Sequence, residues 1–375
     1  GVQGETGGTL ADGIGYFVTA SHLEEDGWRD FSPTEAQQIF GKLTVLGDES
    51  RYDVSLTRVA TDLVGNGAAP EDLLELDSEA IFTRPDRTEN TLTMLSINGE
   101  QRVSSSITLR GNIYVRASDI ATLNGDDSDF EECEATPGFI CEEEGDEEEI
   151  ALDENGVPIE ADEALEGATV NRSDTEQHGA GFALQADFTG SLAGRDNRFT
   201  IGAGLDEADV EFGASTELGM LDATRQAIPG GVFVGEAFTG LETSSSTTSF
   251  YLSNTFTLGE RATLTASGRY NRAHVVLEDQ IDDDLDGDHT FQRFNPALGF
   301  TAGTEAATFY ASYSEANRAP SPVELTCADE DDPCRLPNAF VADPPLEQVV
   351  AKTLEAGVRG ALGSGRWHAG VFRTT

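Results

Sequence analysis

The amino-acid sequence predicts an all-β fold: part of an antiparallel transmembrane β-barrel of about thirteen strands, with short periplasmic turns and long extracellular loops. Three observations predict it. Apolar and polar residues alternate over strand-length stretches, and helical periodicity is nearly absent. The stretches are longer than typical soluble strands. The connections between them are alternately short and long.

In chain order, Gly1 lies in what reads as the turn before a first strand at 14–23. Tyr52, Val54 and Leu56 alternate with Asp53, Ser55 and Thr57. Residues 91–98 alternate less cleanly. From Val103 to Val115 the period is two throughout: Ile107, Leu109, Ile113 and Val115 share one parity, and Thr108, Arg110, Asn112 and Tyr114 the other. Phe182, Leu184, Ala186 and Phe188 alternate with Gln185, Asp187 and Thr189. Phe250, Leu252, Phe256 and Leu258 alternate with Tyr251, Ser253, Thr255 and Thr257. Leu264, Ala266, Gly268 and Tyr270 alternate with Thr265, Ser267, Arg269 and Asn271. Residues 366–373 carry a weaker version, and the chain stops at Thr375 inside it.

Turn chemistry falls near 47–50, 99–101, 193–197, 259–261, 302–305 and 362–365. Longer connections cover 27–34, 63–87, 119–176, 206–246, 280–290 and 316–348. Successive connections of a meander lie at opposite ends, so short turns collect at one end and long loops at the other. A soluble sandwich shares the alternation but not this asymmetry. Lipid offers no hydrogen-bond partners, so a membrane sheet must close on itself. An odd strand count and termini inside strand-like text are expected of a fragment of a larger barrel.

The chain has 375 residues, with 23 Lys and Arg against 69 Asp and Glu, a formal net charge of −46. Such a surface repels phosphate backbones, and no basic patch offsets it; Lys42 and Lys352 are the two lysines. Nucleic acid is therefore excluded as a partner. No run of 18 apolar residues supplies a transmembrane helix.

The run Tyr310-Ala-Ser-Tyr-Ser-Glu-Ala-Asn-Arg-Ala-Pro-Ser-Pro-Val-Glu-Leu325 resembles the barrel signature of the TonB-dependent outer-membrane receptors, a Tyr-x-x-Tyr-Ser strand followed by Arg-x-Pro-Ser and Glu-Leu. Asp343-Pro-Pro-Leu-Glu-Gln and Leu354-Glu-Ala-Gly-Val-Arg-Gly360 are similar to the motif that follows it. Phe294-Asn-Pro-Ala-Leu-Gly299 resembles another strand of the family. Gly13-Ile-Gly-Tyr-Phe17 and Glu25-Asp-Gly-Trp-Arg-Asp30 resemble the early barrel. The motifs occur in the family's order through nearly the whole chain, so residues 1–375 read as one barrel region.

The resemblance implies a plugged barrel of about 22 strands in the outer membrane of a Gram-negative bacterium. It implies uptake of a scarce nutrient, by default a ferric siderophore, energised by the TonB complex through a plug domain. No plug, coupling segment or terminal aromatic strand is recognisable in the sequence. Expected partners are a ferric chelate, the TonB complex and outer-membrane lipid. Two other readings share some of the physics: a passive porin, and an acidic calcium-stabilised secreted β protein.

Residues 126–166 hold 19 Asp and Glu and no Lys or Arg. This composition predicts a solvated, mobile loop without a core, part of the acidic extracellular connection at 119–176. Its other reading is a funnel for divalent cations or cationic ligands. Cys133 with Cys141, and Cys327 with Cys334, form two local pairs on expected outer loops and read as disulfides. A four-cysteine zinc site is the alternative, but seven and six intervening residues exceed the usual spacing.

Asp282, Asp284 and Asp286, with Gly287, match the opening of a calcium loop, although its twelfth position is Arg293 rather than Glu. Loop calcium is the one cofactor this suggests; an acidic hairpin loop is the plain reading. His22, His178, His274, His289 and His368 share no metal-ligand spacing. No nucleophile elbow, zinc-protease motif or phosphate loop is present, so no enzyme is expected.

Arg318, beside Pro320, reads either as a rim contact for an anionic ligand or as part of a strand-to-loop transition. Phe130, Phe139, Phe233, Phe238 and Phe340 are candidates for a ligand platform or for packing between loops. Trp28 and Trp367 fit aromatic belts at opposite membrane faces.

Overall fold

The computed structural model describes residues 1–375 apart from 66, 129, 145–146, 282–284, 305 and 327–345. The first strands are β1 (Val2–Ala11), β2 (Ile14–Glu25), β3 (Thr34–Leu46), β4 (Ser50–Val64), β5 (Asp86–Ser104) and β6 (Ile107–Asp127). Three short strands follow within one connection: β7 (Phe130–Glu132), β8 (Ile140–Glu144) and β9 (Glu147–Ile150). Then come β10 (Ala168–Leu192), β11 (Arg195–Leu221), the short β12 (Ala227–Phe233), β13 (Thr239–Gly259) and β14 (Ala262–Asp279). The chain ends with β15 (Gly287–Thr304), β16 (Ala307–Arg318), β17 (Val349–Leu362) and β18 (Gly365–Thr374). Among the described residues, helix is confined to short segments in connections, including α1 (Glu71–Leu76) and α2 (Pro322–Thr326).

One antiparallel sheet of 15 strands holds all of these but β7, β8 and β9. Its strands run in sequence order, with β12 set beside β11 off the main path. Among the described residues β1 pairs only with β2, and β18 only with β17, so the wall is open. The expectation of about thirteen wall strands missed β1. It pairs with β2 from Val2 opposite His22 to Ala11 opposite Ile14. Its Gly- and Thr-rich text lacks alternation and reads as a turn.

Lateral rows explain the alternation. Tyr16, Leu43, Val54, Ile97, Ile113, Phe182 and Leu205 stand side by side across seven strands. Such residues face outward; Ile113, Leu56 and Phe182 expose about half of their surface. The next row is Ser55, Ser96, Tyr114, Gly181 and Asp206, on the opposite face. On β6 the apolar band spans Ile107 to Val115, the length a tilted strand needs to cross a bilayer. Trp28 lies at the long-loop end, and Trp367 beside the last short turn.

The expected turn at 99–101 lies inside β5, which reverses at Ser105 and Ser106. Gln101 pairs with Leu109 and Leu95 with Val115, so odd positions share a face on both strands. Period-two text therefore continues through the hairpin and hides it. Gly99 is a close-approach residue: a Cβ there would meet the Tyr52 ring at 3.1 Å.

The long connections are shorter than expected: 128–167 instead of 119–176, and 222–238 instead of 206–246. The strands continue into the missing lengths. β11 has 27 residues, roughly 90 Å at ~3.3 Å each, far beyond the bilayer. Above the membrane both faces of a strand meet water, so backbone pairing persists where side-chain alternation fades.

Candidate functional site

Two features can meet a ligand: the polar inner wall, and the extracellular cap built from the long connections. On the wall, Asp187 of β10 is 3% exposed. Its carboxylate accepts hydrogen bonds from Thr200 Oγ1 (2.6 Å), Gln185 Nε2 (2.8 Å), Arg198 (3.1 Å) and Arg110. Arg110 also donates to Glu100 at 2.8 Å, and Tyr251 OH donates to Gln185 Oε1 at 2.9 Å. Elsewhere hydroxyls pair across strands: Ser55 with Ser96 (2.8 Å), Ser253 with Ser267 (3.0 Å) and Thr263 with Thr301 (2.6 Å). The inner wall is thus polar, with its buried charge neutralised locally.

The acidic connection is folded, contrary to the expectation of a mobile loop without a core. Phe130, Ile140, Ala151, Ile159 and Leu165 pack with Leu218, Val234 and Ala237 into one cluster. Strands β7, β8 and β9 form its small sheet. Composition misled because it averages over the segment. A few well-spaced apolar residues suffice when the protruding end of β11 supplies Leu218, which is fully buried. Leu218 shares strand parity with the lumen-facing Gly202 and Gly204, so this core sits on the inward side of the wall. A disulfide joins Cys133 and Cys141, Cα atoms 5.0 Å apart.

Neighbouring connections lock to the cap. Ala227 N donates to Arg84 O (2.8 Å), and Gly125 N to Pro85 O (2.6 Å). The Arg84 guanidinium lies 3.9 Å from the centroid of the Phe31 ring, and that of Arg225 at the same distance from Phe82. Asp222 anchors its own turn. The backbone N–H of Gln226, then Thr224, bond its carboxylate and hold it below the usual carboxylate range. Asp153 is lowered likewise by the N–H groups of Val157 and Asn155.

Phe233 and Phe238 contact each other, ring centroids 5.8 Å apart, in the connection after β11. Phe130 lies in the cap core. Arg318 ends β16 and forks onto Glu324 of α2, at 2.6 and 2.8 Å. Ser321 N and Oγ donate to the same carboxylate at 2.7 and 2.9 Å, and Glu324 N donates to Ser321 Oγ at 3.3 Å. This reciprocal cap, with Pro322 starting the helix, follows from the Ser-Pro-Val-Glu spacing. Foremost Arg318, and then Ser321, hold the Glu324 carboxyl down to about 2. Leu325 packs on the inward-facing cluster of Leu241, Val275 and Leu277, so α2 folds over the inner wall.

Phe340, Cys327, Cys334, Asp282 and Asp284 lie outside the described residues. Asp286 Oδ1 accepts the backbone N–H of Asp279 at 2.8 Å, bracing the β14–β15 loop. No cluster of three metal-ligating side chains occurs among the described residues.

Sequence reading missed the Asp187 hub and an amide cluster at Asn271, Asn295 and Asn317. Asp187, Asn271 and Asn295 carry the lumen-side parity of their strands, whereas Asn317 is in phase with the outward-facing Phe309, so the convergence of these residues was not legible in the sequence.

A family model described as TonB dependent receptor-like, beta-barrel matches residues 27–375. The chain belongs to this family. TonB-dependent receptors are transporters of the Gram-negative outer membrane, not enzymes. Among curated proteins none matches the chain in sequence. The ferric citrate transporter FecA, unliganded, is 13% identical, with a TM-score of 0.73 over 98% of this chain and 47% of that one. The siderophore receptor PiuA from Acinetobacter baumannii is 13% identical, with a TM-score of 0.66 over 99% and 54%. The ferric yersiniabactin uptake receptor FyuA from Yersinia pestis is 11% identical, with a TM-score of 0.68 over 99% and 51%. These likenesses establish the fold. The chain spans about half the length of the solved structures it matches.

Proposed function

We propose that this chain is part of the wall and outer cap of a receptor that imports a ferric chelate, driven by the TonB complex through a domain filling the lumen. The observation that carries the reading is the wall itself: apolar outside, and lined within by paired hydroxyls and the neutralised Asp187 hub. Such a lining fits a polar cargo and a polar filling domain. Binding and gated passage are the mechanism, with no covalent step. Arg318, Phe233 and Phe238 stand at the mouth. Arg318 meets a ligand only by giving up Glu324.

The test is iron-55 uptake by iron-starved cells with and without the gene. Deletion is expected to abolish uptake of at least one ferric chelate, and loss of TonB is expected to have the same effect. Uptake that persists without TonB would favour a passive pore instead.

A further inference from the structure

Above Ala297 opposite Ser314 the ladder between β15 and β16 stops, although both strands continue. There Asn317 of β16 reaches across β15. Its Oδ1 accepts from Asn271 Nδ2 of β14 (3.1 Å) and from Asn295 Nδ2 (2.6 Å). Its Nδ2 donates to Gln348 Oε1 (3.1 Å), and Gln348 Nε2 donates to Gln292 O (3.3 Å). Asn271 Oδ1 in turn accepts from Arg269 Nε at 2.8 Å.

This directional chain pins the Asn295 amide. With Nδ2 committed to Asn317, its buried Oδ1 has no donor, and Asn295 is only 8% exposed. The neighbouring Arg293 is in the same condition: one guanidinium nitrogen bonds Glu315 at 2.5 Å, while its buried Nε has no acceptor. Asn295 and Arg293 alternate with the outward-facing Phe294, so both belong to the inner wall. A buried acceptor and a buried donor, two residues apart on one strand face, are each costly to leave unmade.

We propose that Asn271, Arg293, Asn295, Asn317 and Gln348 form a subsite for an uncharged chelate rich in hydroxyl or amide groups. This rests on the ferric-chelate reading above and names the class of chelate. Both atoms are shielded within the wall, so on binding the amide network parts, a hydroxyl or amide of the ligand donates to Asn295 Oδ1, and a ligand oxygen accepts from Arg293 Nε. The amides carry no charge, and Arg293 is already neutralised by Glu315. The folded cap on the inward side carries the 126–166 segment, with 19 acidic and no basic residues, which repels polyanions at the mouth. Asn317 lies just before the 319–348 connection and Gln348 is its last residue, so a ligand engaging this network also touches the base of that loop.

The intact receptor in outer-membrane vesicles is titrated with two iron-55 probes, a neutral ferric trihydroxamate and ferric citrate. Wild type is expected to prefer the trihydroxamate by about tenfold or more, and Asn295→Leu to lose about tenfold toward it with little change toward citrate. Asn295→Ser carries the same comparison should the leucine variant fail to reach the membrane. Unchanged trihydroxamate affinity in these variants, with both probes bound, overturns the subsite and leaves the ferric-chelate reading standing. Tighter binding of citrate overturns the ligand class. Binding of neither probe to wild type overturns the subsite and its ligand class, while the ferric-chelate reading itself stands or falls on the uptake experiment.

Discussion

Glu324 illustrates how one side chain shapes the mouth. Its carboxylate is the meeting point of Arg318 and of both polar groups of Ser321, and it places α2 over the inner wall. The Arg318 contact, foremost, lowers the carboxyl from its ordinary 4.5 to about 2. A depressed carboxyl contributes stability that is complete above its ordinary pKa and is lost as the pH falls toward the lowered one. The strap should therefore stay docked at neutral pH and loosen between about 4.5 and about 2. A nitroxide placed by Ala319→Cys should gain mobility across that window in wild type. In Glu324→Gln it should be mobile at both ends; a nitroxide that stays immobile in that variant would show that other contacts hold α2. Arg318 also marks the limit of sequence reading at this scale. The Ser-x-x-Glu spacing of residues 321–324 is that of a helix cap, which the sequence reading passed over, and nothing in it said that the rim arginine would close onto the same carboxylate.

Strands and connections carry a second kind of information. Wall strands were legible because lipid demands an apolar parity, and the ordered motifs placed them in a family. Strand ends above the membrane were not legible, because water on both faces removes the demand. One consequence is a row that no barrel physics requires. Asp119, Glu176, Glu211, Glu242 and Glu278 are direct cross-strand neighbours on β6, β10, β11, β13 and β14, all exposed. Like charges in direct opposition destabilise a sheet. Glu211→Lys sets a cation between Glu176 and Glu242 and should stabilise the protruding ribbon by roughly 0.2–1 kcal/mol per pair. The gain, read as a shift in the unfolding midpoint at low salt, should vanish near 1 M salt, where the screening length falls to about 3 Å. The acidic cap was misread for the opposite reason, its few apolar residues being outvoted by its charge. Its disulfide closes a short ring between residues eight apart in sequence, so Cys133→Ser should loosen the cap by about 2–3 kcal/mol. Hydrogen exchange should then rise at Ile140 and Ala151 and stay unchanged on β14 and β15. Faster exchange throughout the wall would mean that the cap braces the barrel rather than resting on it.

At the scale of the whole molecule, one asymmetry organises the rest. The reversals between β1 and β2, β3 and β4, β5 and β6, β10 and β11, β13 and β14, β15 and β16, and β17 and β18 are all tight. The intervening connections are long and carry the cap, α1 and α2. Antiparallel order forces the two sets to opposite ends of the sheet, and the apolar band between them fixes where the bilayer lies. The orientation follows from the lengths of the connections: outer-membrane barrels keep their short turns on the periplasmic side and their long loops outside, which puts the cap at the outer face. Glu154 lies exposed in the cap and Asp48 exposed in the β3–β4 turn, so they test orientation directly. Single cysteines at these positions, in a background free of the native cysteines, should behave oppositely on whole cells. Glu154→Cys should react with a membrane-impermeant maleimide, and Asp48→Cys should react only after the outer membrane is permeabilised. Equal labelling on intact cells would place both ends of the sheet in one compartment. The transmembrane placement would then fail, and with it the assignment of the polar face to a lumen on which the inner-wall subsite depends.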